Sequence, residues 1–395
     1  MTSKSSEIPI LQKGTKVDEF VIKKHIGHGG YGEIYTVLNE NDNTLYAMKT
    51  EMKSQRKQGL EGEIEFFKKL QDSPYFPKII RSGENSEFRY LIMELLGPSL
   101  SQICKILPNE RLSKHTVTFI SKAMLQAIED CHKHGIIHRD IKPANFLIRP
   151  GRECPVALID FGLSRRYYDE DGRPFPPREH PGFIGTCCFA SLNAQRGEEL
   201  SKRDDLISWI YSLVCLADYL PWPGRRNRAK TKEIKEKIQP AKLMRKLPRQ
   251  FIEIYEDINT LSFYDEPRYQ KYYTLIDQAY SQLGGHKKKL DWEKVSPHEI
   301  SKVSEISLID KSRHSHRKEK SHQSRAVSID NKTDIQKRNN PSQSSSNNGL
   351  QGYNNDNDQQ SPPIVGNVSK TGSKSDKKSD KKSEVGCGAG NCNIF

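Results

Sequence analysis

Two short motifs near the middle of the chain constrain its fold more than any other feature. Residues 137–147 read IHRDIKPANFL, and residues 158–162 read LIDFG after a short hairpin. Further upstream, residues 27–32 read GHGGYG and precede a run from Glu33 to Leu38 that is typical of a strand. Strand patterns come first, and helical patterns dominate from Lys114 onward. This order predicts an α+β fold, with a small β-rich lobe followed by a larger helical lobe.

The glycine-rich segment allows two interpretations. The glycines at positions 27, 29, 30 and 32 carry no side chain, so backbone amides there can close over phosphate groups. In a dinucleotide-binding fold, such glycines open a helix. Here they lie between two predicted strands, which favours a flap over a nucleotide. A plain glycine-rich hairpin is the alternative.

Lys49 ends the third predicted strand. An ammonium group at this place can pair with the α- and β-phosphates of ATP, provided that an acidic side chain holds it. Glu63 is the predicted partner because it precedes a run with helical spacing, and Glu61 and Glu65 are its rivals. Taken in isolation, Lys49 could also be a solvated surface lysine.

The two central motifs carry the groups that phosphoryl transfer needs. This reaction depends on positioning and charge neutralisation more than on covalent chemistry by the protein. Asp140 can accept the proton of a substrate hydroxyl, and Lys142 can neutralise charge on the transferred group. Asn145 and Asp160 offer hard oxygen ligands to Mg²⁺, which needs few protein ligands. The motifs therefore predict an enzyme that uses ATP and Mg²⁺.

Residues 20–292 resemble the eukaryotic protein kinase superfamily, and within it the casein kinase 1 group. Residues 93–100, MELLGPSL, resemble the hinge of that group, and residues 190–193, ASLN, stand where most kinases carry Ala-Pro-Glu. The segment 176–186 is more similar to the tau-tubulin kinase branch. The resemblance implies a two-lobed serine/threonine protein kinase that acts on protein substrates.

The resemblance also implies which residues bind ATP. Met93 would be the gatekeeper beside the adenine, and Glu94 and Leu96 would offer backbone groups to the base. Ile26, Ile34, Ala47 and Leu147 would enclose the ring. The other implied contacts are Gly27, His28, Gly29, Gly30, Tyr31, Gly32, Glu33, Lys49 and Glu63.

The substrate side of the site both follows and departs from the family. Thr186 would bridge Asp140 and Lys142, as in serine/threonine-specific kinases. Arg139 would ordinarily meet an activation-loop phosphate, although this group often does without one. Cys188 replaces an arginine that binds phosphorylated or acidic substrate residues, and a thiol lacks the bidentate donors of a guanidinium. A nearby basic cluster could compensate, or could be a solvated loop: Arg225, Arg226, Arg228, Lys230 and Lys232.

The composition changes sharply near Ser296, to Ser, Asn, Gln, Lys and Asp with few large apolar groups. Such a segment cannot bury enough surface to offset chain entropy, so we predict a disordered tail. The sequence thus divides into an N-terminal extension (1–19), a kinase domain (20–292) and the tail (293–395). The longest apolar run, from Leu206 to Ala217, is too short to span a bilayer and predicts a buried core helix.

The last four residues, CNIF, fit a prenylation motif at Cys392. Cys387 is a candidate second lipid site, and lysines upstream would add attraction to anionic lipid. We therefore predict a kinase tethered to the cytoplasmic face of a membrane. A chance terminal cysteine and a lysine-rich nuclear signal are the alternatives. The lysines are Lys370, Lys374, Lys377, Lys378, Lys381 and Lys382.

The formal net charge of +13 favours acidic partners, such as phosphorylated or acidic peptides and anionic lipid. No aromatic-interleaved basic stripe or zinc-finger spacing indicates nucleic acid binding. The absence of a C-x-x-C motif and of a secretory leader predicts a reducing, cytosolic setting, and a monomer is expected. A catalytically silent pseudokinase scaffold at a membrane is the alternative function. The complete catalytic set favours an active enzyme: Lys49, Glu63, Asp140, Lys142, Asn145 and Asp160.

Overall fold

The structure is a computed structural model that describes residues 11–28, 32–55, 58–149, 154–296 and 298–300. All of them lie in the first of two units, Met1–Val327, and the second unit, Ser328–Phe395, lies outside them. The predictions for Gly29, Gly30, Tyr31, Cys387 and Cys392 also fall outside the described residues, as does most of the predicted disordered tail. The predicted start of that tail, residue 293, is too early, because Asp291–Lys294 form a short 3-10 helix and Val295 packs against the core.

A six-stranded antiparallel sheet forms the first lobe. Its strands lie side by side in the order β1-β2-β3-β4-β6-β5. The three strands predicted from sequence are confirmed as β2, β3 and β4. The bounds are β1 (Lys16–Val17), β2 (Phe20–His28), β3 (Glu33–Asn39), β4 (Leu45–Met52), β5 (Ile79–Glu84) and β6 (Phe88–Glu94).

The two faces of this sheet differ because side chains alternate along each strand. Tyr35, Met48 and Ile92 are fully buried in a core on one face. The other face turns toward helix α1 (Leu60–Lys69), which connects β4 to β5. The described lobe begins upstream of residue 20, because β1 pairs with β2 and the amide of Leu11 donates to the Tyr35 hydroxyl at 3.0 Å.

The second lobe is mainly helical. Its helices are α2 (Leu100–Ile106), α3 (Lys114–Lys133), α4 (Leu192–Arg196), α5 (Lys202–Ala217), α6 (Arg228–Lys237), α7 (Pro240–Leu243), α8 (Gln250–Asn259) and α9 (Tyr269–Gln282). Helix α3 has an apolar stripe, since Val117, Ile120 and Met124 are fully buried. Gly135 follows the helix with a left-handed φ of 67°, a conformation that is common where helices end.

Helix α5 is the predicted core helix. Leu206, Trp209, Tyr211 and Val214 are all buried, and their spacing at about 100° per residue places them on different sides of the helix. A helix that is apolar all round must be surrounded by protein, and α5 therefore provides a rigid centre for the lobe. Within the described part of the chain, no helix is both long and apolar enough to cross a membrane.

Two short ribbons position the central motifs. Strand β7 (Ile136–Ile137) pairs with β10 (Arg165–Arg166), and β8 (Phe146–Ile148) pairs with β9 (Val156–Leu158). The HRD motif (residues 138–140) directly follows β7, and the DFG motif (residues 160–162) lies between β9 and β10. The ribbons therefore bring Asp140 and Asp160 to the same end of the helical lobe, facing the sheet.

Candidate active site

Strands β2 and β3 hold the glycine-rich segment between them. Gly27 pairs with Ile34 in the ladder, so the segment connects two strands and does not open a helix. Gly32 has no room for a side chain, because a Cβ atom there would lie 1.7 Å from the carbonyl oxygen of Thr50. These flanks agree with a flap and exclude the dinucleotide-binding interpretation.

The stem of this flap contains two histidines and one carboxylate. Glu33 is 6% exposed, and its carboxylate lies 2.5 Å from Nε2 of His25 and 2.6 Å from Nδ1 of His28. His25 also packs edge-on against the ring of Tyr35. Two residues predicted to contact ATP, His28 and Glu33, thus contact each other across the stem.

Lys49 faces Glu63, as the sequence predicted. The ammonium nitrogen of Lys49 is 2.5 Å from Oε2 of Glu63 and 3.9 Å from Oδ1 of Asp160. The rivals Glu61 and Glu65 are exposed. Burial alone would lower the pKa of Lys49, but the charges of Glu63 and Asp160 raise it overall. The ammonium therefore stays charged, as an ion that pairs with phosphates must be.

The residues predicted around the adenine come from strands of the first lobe, from the hinge and from β8 of the second lobe. Ala47 pairs with Met93 across β4 and β6, on the face opposite the buried Met48 and Ile92. The hinge, residues 95–99, leads from β6 to α2. The predicted adenine contacts share an apolar character and incomplete burial, which suits a slot for a flat ring: Ile26, Ile34, Ala47, Met93, Leu96 and Leu147.

Asp140 lies at the centre of a compact polar group. The Thr186 hydroxyl donates to Oδ1 of Asp140 at 2.7 Å, and the Lys142 ammonium donates to Oδ2 at 2.5 Å. Lys142 also donates to the Thr186 hydroxyl at 3.3 Å. The predicted bridge between Asp140 and Lys142 is therefore confirmed. Gly185 makes the approach possible, because a Cβ atom there would lie 2.7 Å from the Arg139 carbonyl oxygen.

Asn145 and Asp160, the predicted Mg²⁺ ligands, lie on adjoining segments, because the Ile159 amide donates to the Asn145 carbonyl at 2.9 Å. The Asn145 amide nitrogen donates to the Asp140 carbonyl at 2.9 Å, which directs its side-chain oxygen away from that loop. Asp160 adopts a left-handed φ of 71°, a strained conformation that is common at functional sites. No group of three or more His, Cys, Asp or Glu residues in the described ranges could hold a metal. One amide and one carboxylate fit Mg²⁺, which takes its remaining ligands from phosphates and water.

Asp205, at the start of α5, supports the catalytic loop from below. Its carboxylate accepts hydrogen bonds from the backbone amides of His138 at 2.7 Å and Arg139 at 2.8 Å, and it lies 3.0 Å from Nε2 of His132. Burial would raise the pKa of Asp205, but these hydrogen bonds and the neighbouring imidazoles lower it overall. The sequence analysis missed this residue. An acid directly before the apolar run from Leu206 to Ala217 was the available signal, because a charge that is buried with such a run is stable only when paired.

The ring of Phe161 joins the elements that carry the charged groups. It lies 4.8 Å from the Phe67 ring on α1 and 5.0 Å from the His138 imidazole. Phe161 is 1% exposed. The packing therefore couples α1, which carries Glu63, to the loops that carry Asp140 and Asp160.

The buried carboxylate of Glu199 lies among three arginines near the HRD motif. Glu199 is 6% exposed and accepts hydrogen bonds from Arg178 at 3.1 Å and Arg165 at 3.3 Å. Nη1 of Arg139 lies 3.9 Å from the same carboxylate. Glu199 thus provides a fixed anion at the place where the family resemblance implies an activation-loop phosphate.

The segment around Cys188 lies on a buried lysine. The Lys235 ammonium donates to the carbonyls of Cys187 at 3.1 Å and Ala190 at 2.7 Å, beneath the Trp222 ring. Burial lowers the pKa of Lys235 to about 7. Lys235 supports this segment from inside and is not part of a basic surface.

The fold and the site together define a class of protein. Residues 20–281 match the protein kinase domain family, so the chain belongs to that family. The β-rich first lobe and the helical second lobe are the architecture that the sequence predicted for it.

Three of the proteins that the chain is similar to carry names of protein kinases. The chain is 35% identical over 278 residues to a probable serine/threonine-protein kinase of Dictyostelium discoideum, an alignment of 69% of this chain and 56% of that protein. It is 32% identical over 287 residues to a probable casein kinase I homolog of Encephalitozoon cuniculi, covering 69% and 89%. It is 30% identical over 295 residues to the serine/threonine-protein kinase spe-6 of Caenorhabditis elegans, covering 72% and 78%. The chain thus spans little more than half of the Dictyostelium relative.

Proposed function

We propose that this chain is an active serine/threonine protein kinase of the casein kinase 1 type, which transfers the γ-phosphate of ATP to hydroxyls of protein substrates. The main support is the polar group of Asp140, Lys142 and Thr186, assembled opposite the ion pair of Lys49 and Glu63. The name of the E. cuniculi relative supports the casein kinase 1 type.

Each charged group has a separate task in this proposal. Lys49 pairs with the phosphates of ATP, and Glu63 keeps it in place. Asp140 orients the substrate hydroxyl and accepts its proton, while Lys142 neutralises charge on the transferred phosphoryl group. Asn145 and Asp160 would hold Mg²⁺, which when bound offsets the negative charge of the phosphates.

The alternative is a pseudokinase scaffold, which would keep the fold and lose the chemistry. All six catalytic groups are present, and this favours the active enzyme. Asp140→Asn tests the choice because asparagine cannot accept the proton. Phosphorylation of an acidic protein such as casein should be abolished, while calorimetry should show ATP binding close to that of the wild type. Activity that survives the substitution would contradict the proposed task of Asp140.

The substrate class follows from charge near Cys188. Arg225, Arg226 and Arg228 are exposed. They adjoin the Cys188 segment, because a Cβ atom on Gly224 would lie 2.2 Å from the Cys188 thiol. We propose that these arginines bind acidic or phosphorylated residues of the substrate in place of the missing family arginine.

The C-terminal motif supports a tether in the same proposal. Prenylation at Cys392, aided by the tail lysines and by a second lipid at Cys387, would hold the kinase at the cytoplasmic face of a membrane. Mass spectrometry of the C-terminal peptide from native cells tests this directly. A prenylated peptide supports the tether, and an unmodified, full-length end contradicts it.

A further inference from the structure

Arg149 makes a set of contacts that no part of the proposed chemistry uses. It follows β8 directly, and its backbone amide donates to the Pro155 carbonyl at 3.0 Å, so its main chain belongs to the β8–β9 ribbon of the helical lobe. Its side chain is 8% exposed. A guanidinium buried this far must be fully paired, and its partners indicate what it does.

The first partner is the carboxylate of Glu94, the last residue of β6. Nε of Arg149 donates to Oε1 of Glu94 at 3.0 Å, and Nη2 donates to Oε2 at 2.8 Å. Two parallel bonds of this kind fix the relative orientation of both side chains, and a lysine cannot reproduce them. Glu94 pairs with Tyr46 in the sheet, so its backbone belongs to the first lobe.

The remaining contacts reach the connection between α1 and β5. Nη2 of Arg149 donates to the Phe76 carbonyl at 2.9 Å, and Nη1 donates to the Pro74 carbonyl. One guanidinium from the helical lobe therefore holds two separate parts of the first lobe. We call Arg149 and Glu94 together the rear clamp.

The rear clamp holds the upstream end of the hinge, whereas backbone hydrogen bonds hold its downstream end. At the downstream end, the Gly97 amide donates to the Ile148 carbonyl and the Ile148 amide donates to the Pro98 carbonyl, both at 2.9 Å. These bonds attach the end of the hinge to β8. Glu94 is the upstream end, and Arg149, the next residue after β8, holds it. Between the two attachments lie Leu95 and Leu96.

We propose that Arg149 is a positioning residue that fixes the angle between the lobes at the hinge and thereby sets the affinity for ATP. This rests on the proposed function. Lobe closure in kinases occurs around the hinge, and a ligand that binds only the closed form loses apparent affinity in proportion to the closed fraction. Arg149 does not contact Asp140 or Lys142, so phosphoryl transfer after binding should be little affected.

The test compares four single variants and one double variant of the full chain by steady-state kinetics and by calorimetric titration with ADP. Arg149→Met removes both hydrogen bonds to Glu94. Arg149→Lys keeps the positive charge but cannot form the two parallel bonds. Glu94→Gln keeps the guanidinium but removes the negative charge of its partner. Arg89→Met is the matched control, since Arg89 pairs with Glu84 at 2.9 Å within the first lobe alone.

We expect Arg149→Met to raise the KM for ATP and the Kd for ADP by about tenfold, as when the closed fraction falls to about a tenth. The kcat and the KM for the protein substrate should change by less than about twofold. Arg149→Lys and Glu94→Gln should fall in between, and Arg89→Met should match the wild type. The double variant Arg149→Met/Glu94→Gln should bind ADP no more weakly than Arg149→Met alone, because the Glu94 substitution acts only on a pair that Arg149→Met has already removed.

Several results would overturn the inference. An unchanged KM and Kd in folded Arg149→Met would do so, as would equal losses in kcat and affinity. If Arg149→Met does not fold, Arg149→Lys and Glu94→Gln decide, and wild-type affinity in both would overturn it. A wild-type chain that binds ADP but transfers no phosphate contradicts the proposed function, and the ADP titrations still decide whether the clamp sets affinity.

Discussion

The carboxylate of Glu63 on α1 lies 2.5 Å from the ammonium of Lys49 on β4, and both side chains are almost fully buried. Removing one partner of a buried ion pair leaves the other charge without compensation. The Lys49 ammonium also lies 3.9 Å from Asp160, so Glu63 on α1 is the nearer of its two anionic neighbours.

The first prediction concerns this pair. Glu63→Gln should lower kcat/KM by about 10- to 100-fold, because Lys49 then relies on Asp160 as its remaining nearby anion. Steady-state kinetics with ATP as the varied substrate gives the value. Glu65→Gln is the matched control, since Glu65 is exposed on the same helix. If both variants lost activity equally, the pairing would not matter for catalysis.

The second prediction concerns the anion beneath the HRD motif. Glu199 already holds Arg178 and Arg165 and lies near Arg139, so the kinase should be active without an activation-loop phosphate. Wild-type enzyme treated with phosphatase, which is then removed, should keep its initial rate. Glu199→Gln should reduce that rate by about tenfold, because three neighbouring guanidiniums then lose the negative charge of the carboxylate that they share. The exposed neighbour Glu198→Gln is the control, and loss of activity after phosphatase alone would refute this view of Glu199.

The third prediction concerns pH and stability. Burial lowers the pKa of Lys235 to about 7, whereas an unfolded lysine has a pKa of about 10.4. Between these values the unfolded chain holds a proton that the native state lacks, so the free energy of unfolding rises with pH, by up to about 1.4 kcal/mol per unit. Below pH 7 both states are protonated, and this contribution is flat. Denaturant titrations from pH 6 to 9 should show the wild type gaining stability over Lys235→Met above pH 7. A constant difference would mean that Lys235 stays charged.

The fourth prediction concerns the exposed arginines next to Cys188. Arg225→Ala/Arg226→Ala should raise the KM for an acidic peptide several-fold, with a smaller effect on a neutral peptide, because surface charges steer oppositely charged substrates. The difference should shrink at high salt. Lys287→Ala/Lys288→Ala is the control, because it removes the same amount of charge from exposed positions elsewhere. Lys287 ends the turn Gly285–Lys287, whose Gly285 carbonyl is hydrogen-bonded to His115, and Lys288 follows that turn. Equal effects of the two double variants would point to net charge and not to a substrate surface.

Local motifs predicted much of the site. The glycine-rich segment, Lys49 and the HRD and DFG motifs each have a fixed local geometry, and helical spacing favoured Glu63 over its rivals. Contacts between distant segments could not be predicted in this way. Arg149 and Glu94 are 55 residues apart, and Arg139 and Asp205 are 66 apart. Only the packing of the lobes brings them together, and nothing in the adjacent sequence specifies their partners.

Cys188 shows a different limit. The sequence correctly indicates that a guanidinium is missing there, but it does not reveal that Lys235 lies beneath the same segment. The structure places that ammonium against the Cys187 and Ala190 carbonyls and beneath Trp222, so it supports the loop from inside. A lysine can be an exposed surface charge or a buried support, depending on how far its side chain is buried. For a polar helix such as α6, the periodicity of the sequence does not predict which of its lysines is buried.

The most direct test of the account is phosphosite mapping by mass spectrometry on a purified acidic protein incubated with the full chain, ATP and Mg²⁺. The account predicts new phosphate on serine and threonine with the wild type, and none with Asp140→Asn that still binds ATP. No phosphate from a wild-type chain that binds ATP, or equal phosphate from both proteins, would contradict it.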